Sequence, residues 1–209
     1  MADFESLKQM IINGDDAATA ASQQLIDGGA SARDILNEAL LPGMDVVGDE
    51  MKTGEKFIPE VLLSARTMQA CLDIIKPHLA AGESMSLGTV VIGTVEGDMH
   101  DIGKNLAAML LSGAGFEVVN LGKGVTPADF VAAVKEHKPQ IVGMSGLLTT
   151  TIPKMPETIQ ALKDAGLRDS VKVIIGGAPV SVEWANEIGA DAYGANASLG
   201  VTKCKELVS

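Results

Sequence analysis

Thr89–Asn105, TVVIGTVEGDMHDIGKN, decides the fold. Its β-branched run Val90-Val91-Ile92 stops at the turn Glu96-Gly97-Asp98. A second apolar pattern follows, with Ile102, Leu106, Met109, Leu110 and Gly113 on one face. Period two giving way to period 3.6 predicts strand, loop, helix. In an open parallel α/β sheet, ligands gather beyond the carboxyl ends of the strands, which puts His100 where such a fold holds its ligand.

The alternation continues downstream. Strands are expected at Phe116–Leu121, Gln140–Met144, Val171–Ile175 and Ala190–Tyr193, with helices beginning near Pro127, Pro153, Val182 and Asn196. Five strands alternating with five helices imply a doubly wound, flavodoxin- or Rossmann-like parallel sheet. Upstream, residues from about 3 to 80 read as helices only. Asp15 is the expected cap of one that ends at Gly28-Gly29, and Ser31 the cap of the next, with Asp34 in a box-like position. The third carries Leu36, Leu40, Met44, Val47 and Met51 on a stripe and is expected to kink at Pro42-Gly43. In the fourth, Val61, Ala65, Met68, Leu72, Ile75 and Leu79 form the seam of a helix in an antiparallel four-helix bundle. The small, polar stretch Ala80–Gly88 separates the two periodicities. This gives a bundle over 1–82, a linker over 83–88 and an α/β domain over 89–209.

The 209 residues, 46% hydrophobic, are enough for two cores. A net charge of −11 argues against a nucleic-acid partner, since phosphate binding rests on Lys and Arg, and 3% aromatics supply few stacking platforms. The acidic, mixed start MADFESLKQM is not a secretory signal, and no apolar run reaches membrane-spanning length. A cytoplasmic protein without a membrane partner is expected. Cys71 and Cys204 are read as free thiols.

His78, His137, Cys71 and Cys204 lack the close spacings of a protein-only metal cage. A macrocycle that brings its own four equatorial nitrogens needs only one axial ligand, which His100 can give. Asp98 in the same turn can accept the other imidazole N–H, fixing the tautomer, and Gly103 lets a bulky ring approach the backbone. The plainer alternative is a solvated or capping histidine. The loop Ser145-Gly146-Leu147-Leu148-Thr149-Thr150-Thr151 either binds a polar ligand or caps the next helix. Gly176-Gly177 either makes a tight turn or admits a flat ligand. GxGxxG and GK[ST] patterns are absent, which disfavours nicotinamide and nucleoside-triphosphate chemistry.

The turn Asp98-Met99-His100-Asp101-Ile102-Gly103, with Ser145-Gly146-Leu147 and Gly176-Gly177, resembles the cobalamin-binding signature of methionine synthase and the small corrinoid methyltransferase proteins. The stretches Gly43–Gly48 and Phe57–Leu62 resemble that family's helical cap. The resemblance covers nearly the whole chain. It implies cobalamin or a related corrinoid, with cobalt on His100 and a proton relay through Asp98 and Thr151. Gly97, Met99, Asp101 and Gly103 would lie in the cofactor-binding turn. Ser145, Leu147 and Thr149 would lie along the tail, and Gly176 and Gly177 would line the lower-base slot with Ala197 near its far end. Met51 and Ile58 match residues that cover the upper face of the ring. Met51 departs from the aromatic residue of methionine synthase, and a core role for it stays open; Thr151 replaces a serine.

The activity so implied is methyl carriage between a substrate:corrinoid methyltransferase and a second methyltransferase serving tetrahydrofolate or a thiol, with a reductive activator as further partner. The chain itself would be the carrier subunit, the catalytic groups lying on other polypeptides. Methanol, methylamines, betaines and aryl methyl ethers are all open as donors. The alternatives are a cobalamin-dependent sensor, which would want a basic DNA-reading helix, the small subunit of a carbon-skeleton mutase, and a flavodoxin-like module without corrinoid.

Overall fold

The structure, a computed structural model, describes residues 3–79 and 86–209. The chain forms two compact units, one of residues 1–86 with 112–115 and one of residues 87–111 with 116–209. Residues 83–85 of the expected linker over 83–88 lie outside the described residues.

The first unit is helical. Helix α1 (Phe4–Asn13) starts where Asp3 accepts the Ser6 N–H and stops at Gly14 in the left-handed region. Asp15 does not cap α2 (Ala18–Asp27). Its carboxylate takes the Ala17 N–H at 2.9 Å, closing a turn before the helix begins. Ser31 does cap, accepting the Asp34 N–H and opening α3 (Ala32–Ile35). A π-turn over Leu36–Leu40 joins α3 to α4 (Leu41–Thr53) without a break. The irregularity expected at Pro42-Gly43 thus lies one turn earlier, where the widened turn absorbs the proline's missing N–H. A Cβ on Gly43 would fall 2.9 Å from the Ile11 Cβ, so α4 needs glycine to pack on α1. Helix α5 (Ile58–Ile75) packs on α1, α2 and α4. Val61, Ala65, Met68 and Ile75 are buried as its seam requires, but Ser64 and Cys71 share that face, Leu72 is only half-buried and Leu79 lies beyond the helix end.

The second unit is a five-stranded, all-parallel sheet in the order β2-β1-β3-β4-β5. Its elements are β1 (Thr89–Thr94), α6 (Ile102–Gly113), β2 (Glu117–Asn120), α7 (Pro127–His137), β3 (Ile141–Ser145), α8 (Lys154–Asp164), β4 (Lys172–Gly176), α9 (Val182–Ile188), β5 (Ala192–Gly194) and α10 (Ala197–Val208). This is the doubly wound sheet read from the sequence. The strand order reverses between β1 and β3, the switch point where such sheets bind ligands. One face packs Val91, Val142, Val173 and Ile175 against Phe130 of α7 and Ile159 of α8. Helices α6 and α10 lie on the other face.

The face expected of α6 is corrected. Ile102 is 86% exposed and Met109 is also exposed, whereas Lys104, Ala108, Leu110 and Leu111 are buried. The helix is apolar on more than one side, so its pattern alone does not choose the inward one.

Candidate functional site

The turn after β1 is closed by the Asp98 N–H bonding to the Val95 carbonyl, with Gly97 at φ 80° as such a turn requires. Asp98 is fully buried beneath it. One carboxylate oxygen accepts the His100 N–H at 2.9 Å and lies 2.8 Å from His100 Nδ1. The other accepts Thr151 Oγ1 at 2.8 Å and the Leu147 and Leu148 N–H groups at 2.7 and 3.2 Å. Desolvation pushes the Asp98 pKa up, but the hydrogen bonds from His100, Leu147 and Thr151 together outweigh it. The carboxyl is held well below its ordinary range and stays ionised. Asp98 therefore keeps the proton of His100 on Nδ1 and turns Nε2 to the opposite side of a ring that is 52% exposed.

Around this relay large apolar side chains face outward. Met99 is 61% exposed, and Ile102, Leu147 and Leu148 are exposed as well. A rim of this kind suits a large, flat, mostly apolar ligand. Asp101 accepts the Asn105 N–H on its carbonyl in the first turn of α6.

Behind the relay, between the sheet and helices α6 and α10, lies a cavity of about 340 Å³, within the range of small-molecule sites. Gly103, Ser145, Gly176, Gly177 and Ala197 line it, so the structure gathers these sequence-selected residues in one place. Gly177 has φ 138°, and a Cβ there would overlap the Gly146 carbonyl oxygen. Ala197 begins α10 at the strands' carboxyl edge rather than at the far end; Cys204, two turns on, lies deeper. Thr149 is exposed and does not line the cavity. Met51 and Ile58 belong to the helical unit, half-buried at the end of α4 and exposed at the start of α5.

Sequence reasoning missed several residues. Gly194, Gly200 and Cys204 line the cavity but sit in segments that carry no motif. Lys104 is only 2% exposed; its ammonium donates to Asn105 Oδ1 at 2.5 Å and Asn120 Oδ1 at 2.6 Å, tying α6 to β2. Burial lowers its pKa against the opposing pull of Asp101. The loop after β2 also joins the site, the Gly124 N–H bonding to the Asp98 carbonyl.

Among the described residues, no group of three or more His, Cys, Asp or Glu side chains could hold a metal ion. The donor set at His100 instead suits a metal that arrives with its own equatorial ligands. The cavity fits the rest of such a group: a Cβ on Gly103 or on Gly200 would meet nothing within 4 Å. Also among the described residues, no helix is long and apolar enough to cross a membrane.

Comparison with known proteins agrees with this geometry. The B12 binding domain model matches residues 88–201, and a second B12 binding domain model matches residues 3–76. A corrinoid protein of Desulfitobacterium hafniense is 42% identical over 209 residues, covering 98% of this chain and 97% of that one. Trimethylamine corrinoid protein 1 of Methanosarcina acetivorans is 41% identical over 196 residues, covering 93% and 91%. A crystal structure of the methanol:cobalamin methyltransferase complex of Methanosarcina barkeri superposes with a TM-score of 0.82 at 28% identity, covering 97% of this chain and 78% of that one.

Proposed function

Because the chain belongs to the corrinoid proteins and its cofactor is cobalamin or a related corrinoid, we propose that it carries a methyl group between two methyltransferases. One partner would activate the methyl donor; the other would pass the group to tetrahydrofolate or a thiol, and a reductive activator would restore the carrier. The related trimethylamine corrinoid protein and the methanol complex share this architecture, which fits a donor chosen by the partner rather than by the carrier.

The observation that carries the reading is the His100–Asp98–Thr151 relay beside a cavity lined by Ser145, Gly176, Gly177 and Ala197. When bound, the corrinoid supplies a cobalt centre able to accept and release a methyl group. His100 is the residue that would hold the cobalt, through Nε2. Asp98 fixes the tautomer that leaves Nε2 free to donate, and its negative charge makes the imidazole a stronger donor. Asp98, itself ionised, would stand as a fixed negative charge beside the ring whether or not the cobalt is held. Thr151 and the Leu147 and Leu148 N–H groups hold the carboxylate still. Gly97, Met99, Asp101, Gly103, Leu147 and Thr149 are the further residues that would contact the cofactor.

The test is the absorption spectrum and cobalt content of the protein reconstituted with hydroxocobalamin, beside a His100→Ala variant. Near-stoichiometric cobalt with a spectrum that changes in the variant is expected. Loss of the corrinoid from both proteins would overturn the reading, and methyl transfer to an acceptor by the isolated loaded chain at partner-supported rates would overturn its carrier role.

A further inference from the structure

The cavity has two ends of different chemistry. At the strands' carboxyl edge Ser145 and the backbones of Gly176 and Gly177 offer hydrogen bonds. One layer further in, the paired positions Ile92, Gly143 and Ile174 form the floor, because residues in register on parallel strands point to the same side. Leu111 of α6 and Cys204 of α10 close it, both buried. Four polar side chains line the whole cavity: Lys104, Ser145, Asn196 and Cys204. Lys104 is committed to Asn105 and Asn120, and Asn196 caps α10 by accepting the Leu199 N–H. The floor is left with one thiol. Burial pushes its pKa up to about 12, so it stays neutral and is only a weak donor.

The width of the slot comes from missing side chains. On the sheet Gly143 and Gly194 line the slot, Gly194 letting α10 approach so closely that a Cβ there would stand 3.1 Å from the Gly200 Cα, and on that helix a Cβ at Gly200 would enter open space.

We infer, resting on the reading of this cavity as the slot for the cofactor's nucleotide tail, that its floor selects the lower base: a benzimidazole with apolar ring substituents is taken and a purine is rejected, Gly200 giving the width and Cys204 the apolar end. An adenine would bury ring nitrogens and an exocyclic amine against Ile92, Ile174, Leu111 and Cys204. A buried polar group without a partner weakens binding about tenfold or more. A benzimidazole carries no such groups on its six-membered ring, so its inner edge is matched.

The experiment reconstitutes the full chain with cobinamide, which has no lower base, with cobalamin, whose base is dimethylbenzimidazole, and with adeninylcobamide. Affinities are read by cobalt content and absorbance after competition. Cobalamin is expected to bind about tenfold or more tightly than adeninylcobamide. Cys204→Ser, which places a full hydroxyl donor and acceptor at the floor, should narrow that ratio. Gly200→Leu should abolish the advantage of cobalamin over cobinamide while cobinamide is still bound, which also shows that the variant folds; if it does not fold, the wild-type ranking decides alone. Equal or reversed binding of cobalamin and adeninylcobamide to the wild type would overturn the selection and leave the methyl-carrier reading standing. Failure to bind any of the three would overturn both.

Discussion

The two faces of the parallel sheet are built on opposite principles. Beneath α7, α8 and α9 side chains pack closely on the sheet: Phe130 is wholly buried, and a Cβ on Gly93 would fall 2.9 Å from its ring. Beneath α6 and α10 the sheet presents Gly143, Gly176 and Gly194 to a cavity, and across it a Cβ on Gly200 would meet nothing within 4 Å. Glycine serves both faces, making room for a protein side chain on one and for a ligand on the other. The filled face therefore supplies the unit's stability, and the hollow face gives up packing for binding.

The largest expected effect tests the filled face. Phe130→Ala should destabilise the α/β unit by about 3–5 kcal/mol, the usual cost of emptying an aromatic site in a packed core. Denaturant unfolding followed by Trp184, the single tryptophan, reads this directly because it packs on the same cluster. A loss below about 1 kcal/mol would show that this face is no better packed than the other.

The next effect lies at the edge the two faces share. Asp98→Ala leaves the His100, Leu147 and Leu148 N–H groups without their acceptor and the Thr151 hydroxyl with only the Leu148 carbonyl, and should cost about 2–4 kcal/mol. The linkage has a definite sign. The folded-state pKa of Asp98 is depressed below the ordinary aspartate value of 3.8, so the unfolded chain takes up the proton first as pH falls. Its stabilisation is fully present above that value and is lost progressively from about pH 4 downward. Acid titration of wild type against Asp98→Asn should show the wild type losing the difference in this window. Parallel curves would mean that the relay is not held as an anion. Thr151→Val, which removes one of the donors, should cost about 1 kcal/mol, shrink the pH-dependent part of the stability and raise the pH at which that loss is complete, the onset near pH 4 staying where the unfolded chain sets it.

Local features of this site were legible in the sequence and distant ones were not. Asp98 and His100 are two residues apart in a turn after a β-branched run, so their contact follows from the chain's own geometry. Thr151 lies 53 residues from Asp98 and was reachable only through resemblance, because no spacing encodes a bond across the switch point. Gly194, Gly200 and Cys204 escaped for a related reason. The cavity they line exists only once the register sets Gly143 between Ile92 and Ile174. The α6 face was misread because periodicity takes every apolar residue as inward. Beside a binding site that rule fails: Ile102 is apolar and turned out, and Lys104 is charged and turned in.

The smallest effect is the sharpest test of the difference between the faces, because it has the opposite sign. Gly200 lies within α10 with ordinary helical backbone, and an added methyl group would meet nothing within 4 Å. Gly200→Ala should therefore stabilise the corrinoid-free protein by about 0.4–1 kcal/mol, since alanine loses less backbone freedom on entering a helix. The same methyl group occupies space in the slot, so retention of cobalamin should fall while that of cobinamide does not. At Gly93 the equivalent change should destabilise, because the Phe130 ring already fills the site. Measured side by side, the two glycine-to-alanine variants should move the midpoint of unfolding in opposite directions. Movement in the same direction would mean that the cavity closes in the absence of cofactor and that the two faces differ less than their glycines suggest.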